Sequence, residues 1–413
     1  MKNNKQPEIR FRGFTEDWEQ RKFGDLLEPK DGVRRGPFGS ALKKDIFVPE
    51  SDYVVYEQQN AIYNNYATRY NITKEKFEEL KKFSLTEGDF IMSGAGTIGR
   101  ISRVPKGIKL GVFNQALIRF RINKELTDSE YFIQFVRADN MQRKLTGANP
   151  GSAITNLVPM SDVKQWSVLV PSKQEQREMG DFFKTIDDTI ALHQQELTAL
   201  KETKQGFLQK MFPKEGERVP EIRFPGFTDD WEQRKLGDIA DSFSGGTPTA
   251  NNRDYYNGHI PFIRSGEINS DTTELFITEE AIKNSSAKLV NNGDILYALY
   301  GATSGEVGIS KINGAINQAV LAIKPRFGDD SYFISQWLRK QKQTIISIYL
   351  QGGQGNLSGG IVKKLMIDIP ISKEEQIKIS IFFKQLDNTI ALHQRELDLL
   401  KETKKAFLQK MFV

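Results

Sequence analysis

FFKTIDDTIALHQQELTALKETKQGFLQKMF, residues 182–212, returns at 382–412 as FFKQLDNTIALHQRELDLLKETKKAFLQKMF, with 23 of 31 positions identical. A second pair lies upstream of each copy. PEIRFRGFTEDWEQRKFGDL at 7–26 recurs at 220–239 as PEIRFPGFTDDWEQRKLGDI, with 16 of 20 positions identical. The offsets, 200 and 213, cut the 413-residue chain into two halves of nearly equal size, and self-similarity at that period reads as one architecture built twice. Ser172 and Glu175 after Pro171 fit a capping box, and Ser372 and Glu375 repeat it after Pro370. Beyond the caps, Ile186, Ile190, His193, Leu197, Leu200, Lys204 and Phe207 alternate four and three apart, as do Leu386, Ile390, His393, Leu397, Leu400, Lys404 and Phe407. That is a heptad seam with charged outer positions. A helix with one narrow stripe needs a partner, and the chain holds two copies, so an intramolecular coiled coil follows. Pseudo-twofold symmetry between the copies makes it antiparallel.

Between the repeated pieces similarity falls to fragments. Asn114-Gln115-Ala116 corresponds to Asn317-Gln318-Ala319, and Asn156-Leu157 to Asn356-Leu357. The chain therefore reads as a framework segment at 1–24, a variable domain at 25–171 and a spacer helix at 172–212. A linker with the repeated framework follows at 213–237, then a second variable domain at 238–371 and a second spacer helix at 372–413. The variable domains carry short strand-like runs punctuated by Gly, Asn and Pro, such as 53–56, 90–92 and 116–122. In the last run apolar and basic residues alternate, which reads as a half-buried strand. Helices are expected near 128–145 and 330–348, and Trp18 and Trp231 as core anchors. The fold class is α+β: two mostly β domains with some helices, separated by two long helices packed as an antiparallel coiled coil.

Composition narrows the chemistry. Hydrophobic residues make up 38% and charged residues 27%, enough apolar content for real cores. No run approaches the roughly 18 apolar residues of a membrane helix, and Met1–Gln6 has no apolar stretch, so neither a membrane span nor a secretory leader is expected. There is no Cys and there are three His, which removes disulfides, thiol catalysis and Cys-based metal sites. His193 and His393 read as packed seam residues or a register-setting pair, and no metal site is expected. The formal net charge is +5. Segment 25–171 carries +4 of it and segment 238–371 carries −1, so a uniformly cationic surface is excluded.

Local cationic clusters remain: Arg34, Arg35, Gly39 and Ser40 with Lys43 and Lys44; Lys81-Lys82; and Arg339-Lys340 with Lys342. Each fits a solvated face as well as a nucleic-acid contact. The first gains weight because Arg, Gly and Ser share one irregular stretch, whose counterpart holds Gly246, Thr247 and Thr249; Arg264 completes the candidate set. Such loops offer backbone N–H groups to phosphates and let long side chains reach base edges. The run Gly94-Ala95-Gly96-Thr97-Ile98-Gly99 matches a dinucleotide fingerprint formally, but Arg100–Pro105 reads as strand and stop rather than helix, so it is expected to be a tight loop. No Walker loop, amino-methyltransferase signature (Asn149-Pro150-Gly151 is not one), HExxH or GxSxG is present. The chain reads as non-catalytic; the rival reading is a DNA nuclease or methyltransferase with a dispersed Asp, Glu and Lys site.

In combination these features resemble the specificity subunits of type I restriction-modification enzymes, over essentially the whole length. The resemblance rests on the duplicated PEIRF-x-GF-T opening and on Ser-Lys-x-Glu-Gln at 172–176 and 372–376 leading into the repeated helices. It rests also on Gly245-Gly246-Thr247-Pro248-Thr249 followed by Tyr255–Phe262. It implies a non-catalytic DNA-binding scaffold in a phage-defence system: two target recognition domains, each reading half of a bipartite, asymmetric site in double-stranded DNA. It further implies that the helices dock two methyltransferase subunits, which carry S-adenosylmethionine and methylate adenine. Motor-nuclease restriction subunits with ATP and Mg would cut, so this chain would bind no cofactor itself, and the location would be cytoplasmic. A spacer helix of about 40 residues is roughly 60 Å long, which bounds the half-site separation at on the order of 17 base pairs.

Overall fold

A computed structural model describes residues 5–38, 41–146, 159–350 and 356–413. Gly39, Ser40, Asn149-Pro150-Gly151 and Asn156-Leu157 lie outside the described residues. The chain divides into two compact units, Met1–Gln194 with Arg395–Val413, and Gln195–Gln394.

In the first unit a four-stranded antiparallel sheet runs in the order Val33–Arg35, Leu117–Phe120, Phe90–Ser93, Ile101–Arg103. A second sheet orders Tyr70–Ile72, Tyr53–Tyr56 and Leu110–Phe113, the last two parallel. Glu19–Lys22 pairs with Ser167–Val170 in a separate ribbon. The four-stranded sheet is a middle layer. Phe90, Met92, Ile118 and Phe120 face a helical cluster that includes Phe23, Phe132 and Trp18. Ile91 and Leu117 face the second sheet through Val54, Tyr56 and Phe113. Burial of each such side chain contributes about 1.5–3 kcal/mol. This layering corrects the expectation for 116–122. The strand Leu117–Phe120 is buried on both faces, because the Arg119 guanidinium, 1% exposed, reaches Asp31 at 2.6 Å inside the unit.

The second unit repeats the plan with different residues. Its four-stranded sheet orders Ala240–Ser244, Val320–Pro325, Ile295–Ala298 and Val307–Ile309. The second sheet orders Phe276–Ile277, Ile260–Ile263, Gly314–Ile316 and Lys288–Val290, and Glu232–Lys235 pairs with Met366–Ile369. Ile295, Tyr297, Leu321 and Ile323 face the helical cluster around Trp231, and Leu296, Ala298, Val320 and Ala322 face the second sheet. Trp18 and Trp231 are 3% and 1% exposed, so both serve as core anchors. The expected helix 128–145 is two helices, Ser129–Arg137 and Asp139–Leu145, because Ala138 turns extended (φ −61°, ψ 141°). Its counterpart is continuous over Ser331–Leu350.

The long helices are Lys173–Lys210 and Lys373–Lys410, 38 residues each. In the first unit Phe182 meets Phe407 edge-on at 5.0 Å, Lys404 Nζ lies 2.5 Å from Asp187, and His193 faces Glu396 at 3.9 Å. In the second, Phe382 meets Phe207 at 4.9 Å, Lys204 Nζ lies 2.5 Å from Asp387, and His393 faces Glu196 at 3.7 Å. One number rises as the other falls, so within each unit the packing is antiparallel. Leu197 and Leu397 are buried at 1% exposure. Ile186, Ile190, His193, Leu200, Phe207, Leu386, Ile390, His393, Leu400 and Phe407 are partly buried, whereas Leu192, Leu392 and Leu399 stand outside.

Only half of each expected capping box forms. Ser172 Oγ accepts from the Glu175 N–H at 3.2 Å and Ser372 Oγ from the Glu375 N–H at 3.4 Å. The two glutamates do not reach back to the cap. Glu175 takes a bidentate Arg10 at 2.7 and 2.8 Å, and Glu375 takes Arg223 at 2.6 and 2.8 Å. An almost fully buried carboxylate (1% exposed) is stable only when so paired. The next residue closes the joint: Gln176 accepts from the Asp128 N–H and donates to the Pro171 carbonyl, and Gln376 does the same with Asp330 and Pro370. The Ser-Lys-x-Glu-Gln signature is thus a junction binding framework arginine, helix start and the sheet-bearing part of each unit together.

Candidate nucleic-acid interface

Antiparallel order places three connections at one end of each four-stranded sheet. In the first unit these are the chain leaving Val33–Arg35, the Asn114–Ala116 turn entering Leu117–Phe120, and the Gly94–Gly99 loop between paired strands. In the second they are the chain leaving Ala240–Ser244, the Asn317–Ala319 turn and the loop 299–306. The backbone bonds repeat. The Leu117 N–H donates to the Asn114 carbonyl as Val320 does to Asn317, and Gly94 donates to Ala116 as Leu299 does to Ala319. Gly36 and Gly245 make the close approach possible, since a Cβ would lie 1.9 Å from the Asn114 carbonyl oxygen and 1.8 Å from that of Ile316.

On this shared frame the side chains differ. Arg35 is exposed, its Nε donating to the Gln115 carbonyl at 3.4 Å. Lys43 and Lys44 are exposed beside the short turn Lys44–Ile46, and Phe38 is 88% exposed. Phe38, Leu80 and Phe83 line a concavity together with Arg35, Lys82 and Gln115. In the second unit Gly246 is buried against Ser286, Thr247 and Thr249 are exposed, and the Thr247 hydroxyl donates to the Gln318 side-chain oxygen.

Other candidate cations are engaged within the fold. Arg34 pairs with Asp31 at 2.7 Å, and Arg119 and Arg121 converge on the same carboxylate. Burial pushes Asp31 up, but the Arg34 hydrogen bond and the charges of Arg119, Arg34 and Arg121 outweigh it and hold it below the usual range. Arg264 follows Ile260–Ile263 at the loop-bearing end, with its guanidinium on Glu267 at 3.1 Å and Glu274 at 2.6 Å. Burial raises Glu267, while bonds from Arg264 and the backbone bring it down to about 2. Arg339 reaches Asp387 at 3.1 Å, Lys340 donates to the Pro213 carbonyl at 2.6 Å and Lys342 meets Glu306 at 2.5 Å. That cluster serves the fold. Lys81 pairs with Glu78 at 2.9 Å, and Lys82 lies over the Phe83 ring.

A polar knot ties the helices that cover each four-stranded sheet to the long helices. Asp187 binds Lys404, Arg137 and Gln134; Asp387 binds Lys204, Arg339 and Tyr332. Burial pulls both lysines below their ordinary range, and the facing aspartates offset part of that shift. Sequence periodicity placed Lys204 and Lys404 on the seam but gave no partner for them. Among the described residues, no helix is long and apolar enough to cross a membrane.

The profile of the type I restriction modification DNA specificity domain matches residues 15–202 and again 228–402. A Methanocaldococcus jannaschii protein described as the MjaX type I restriction enzyme specificity subunit is 22% identical over 413 residues, spanning 96% of this chain and 92% of that one. The MjaIX specificity subunit of the same organism is 29% identical over 195 residues, 45% of this chain and 44% of its own length. Among solved structures, the S subunit of the type I restriction-modification system from M. genitalium superposes with a TM-score of 0.65 at 15% identity, covering 99% of both chains. A chain from a type I R-M system, solved to describe complex assembly and conformational transition, gives 0.57 at 18% identity over 95% of this chain and 96% of that one. Both structural likenesses concern the fold.

Proposed function

The chain belongs to the type I restriction-modification DNA specificity family, and from that premise we propose that its two units read two different half-sites of one bipartite, asymmetric sequence in double-stranded DNA. One observation carries the reading. The loop-bearing sheet ends share their backbone bonds and close glycines, yet present Arg35, Phe38, Lys43 and Lys44 in one unit and Thr247 and Thr249 in the other. A common frame with unlike side chains suits one docking mode applied to two sequences. Identical ends would demand a site with matching symmetry.

On the same reading the long helices dock two methyltransferase subunits, and motor-nuclease restriction subunits complete the assembly. S-adenosylmethionine, ATP and Mg belong to those partners, in the cytoplasm where the DNA lies. Near-identical helix sequences in both halves support the docking role, since one partner binding twice needs the same surface twice. The test is binding by the full chain with its methyltransferase subunits, scored on DNA and by methylome sequencing of a host that carries it. The expected result is one bipartite motif bearing methyladenine. Methyl transfer or strand cleavage by the purified chain alone would instead support the rival reading of a self-sufficient enzyme.

A further inference from the structure

Among the described residues of the loop-bearing ends, the Asn-Gln-Ala turn recurs in both units with its side chains as well as its backbone. Two of its three residues have structural work. Asn114 Oδ1 accepts from the Ala116 N–H at 3.1 Å, and Asn317 Oδ1 accepts from Ala319 at 3.1 Å. Ala116 and Ala319 take backbone bonds from the neighbouring strand at 2.7 and 2.8 Å. The middle glutamine does none of this. Gln115 and Gln318 are both exposed at the apex of the turn, between the chain that leaves the first strand and the loop that joins the next two.

We propose that Gln115 and Gln318 donate side-chain N–H hydrogen bonds to the DNA phosphodiester backbone and set each unit's position on its half-site without reading a base. This inference rests on the DNA-reading role proposed above and names the contact common to both units. Its direction comes from the second unit. The Gln318 side-chain oxygen accepts from the Thr247 hydroxyl, which leaves the amide nitrogen, with two N–H groups, as the donor of this exposed side chain. Burial raises the Tyr300 hydroxyl and a hydrogen bond from this amide offsets part of the rise, so one N–H of the two serves Tyr300 and the other is left for an outside acceptor. In the first unit the exposed Arg35 beside Gln115 adds a cation at the same place.

Its sequence independence comes from the comparison of the units. The residues around the turn differ, so the bases they meet differ. A side chain kept in both must touch what any two half-sites share, and every duplex offers phosphate oxygens at the same spacing. Gly36 presses on Asn114 and Gly245 on Ile316, while Gln115 and Gln318 are the exposed residues of their turns.

The experiment uses the full chain with its methyltransferase subunits and variants Gln115→Ala, Gln318→Ala and Gln115→Glu. Affinity is measured on cognate and unrelated duplexes across a salt series, with methylome sequencing beside it. Each Ala variant should lower affinity by about threefold to tenfold, by the same factor on both duplexes, with the methylated motif unchanged and thermal unfolding unmoved. Gln115→Glu should weaken binding further, the excess loss shrinking as salt rises. Relaxed preference at one base position would make the glutamine a base reader and overturn the assignment. Wild-type affinity in the Ala variants would overturn it as well while leaving the DNA-reading role standing. A wild-type complex that binds no DNA would sink both.

Discussion

Along the long helices the two halves share their principal packing and ion-pair contacts, and at the loop-bearing sheet ends they agree mainly in backbone. Phe182 on Phe407, Asp187 on Lys404 and Glu175 on Arg10 each have a twin in Phe382 on Phe207, Asp387 on Lys204 and Glu375 on Arg223. At the sheet ends the twins are the Asn-Gln-Ala turn and two close glycines, and the neighbouring residues diverge. On the proposed function, the difference separates what must stay constant, the joints of a scaffold and the surface offered to a repeated partner, from what must vary.

The comparison breaks most visibly at the seam. Leu397→Asp should cost about 3–5 kcal/mol, since it puts an unpaired charge where 1% of the side chain is exposed. Denaturant unfolding reads the loss, and co-purification with methyltransferase subunits should fail with it; Leu197→Asp should behave alike. A smaller loss, about 1–3 kcal/mol, is expected for Asp387→Ala, which strands Lys204 and Arg339 in a partly exposed knot. Asp187→Ala should fall in the same range, and a loss outside it would mean the twinned joints are not equivalent.

Changes at the sheet ends should act on DNA and leave the fold alone. Neutralising Arg35, Lys43 and Lys44 together should lower DNA affinity by a factor on the order of ten and flatten its salt dependence. Stability should stay within about 0.5 kcal/mol, as for surface substitutions generally. Unchanged affinity would remove this loop from the interface. The smallest effect concerns pH. Glu267, held at about 2 in the fold, contributes stability that is present above the ordinary glutamate range and lost as pH falls toward 2. Glu267→Gln should lower stability at pH 7 by at most about 1 kcal/mol, given the exposure of its Arg264 partner. The difference should close as both proteins are titrated into acid.

Much of the frame was legible because repetition and periodicity are properties of the string itself. The heptad at Leu197 and Leu397 and the twinned tryptophans needed no coordinates. Local alternation misled at Leu117–Phe120, where a strand sandwiched between two layers buries Arg119 by pairing it with Asp31, 88 residues away in sequence. The glutamate of each capping box was visible, but not the arginine more than 150 residues upstream that takes it. Charge runs were the weakest guide. Arg34, Arg264 and Arg339 look like ligand cations in sequence and turn out to be paired, since a run records charge and not the carboxylate folded against it. The glutamine at the apex of the repeated turn became meaningful once its neighbours' structural duties were known.

The central claim, that each unit reads its own half-site, is tested most directly by exchanging residues 25–171 for the corresponding domain of another family member and sequencing the methylome of the host. The account predicts that one half of the methylated motif changes while the other half is retained. A motif altered in both halves, or in neither, would contradict it.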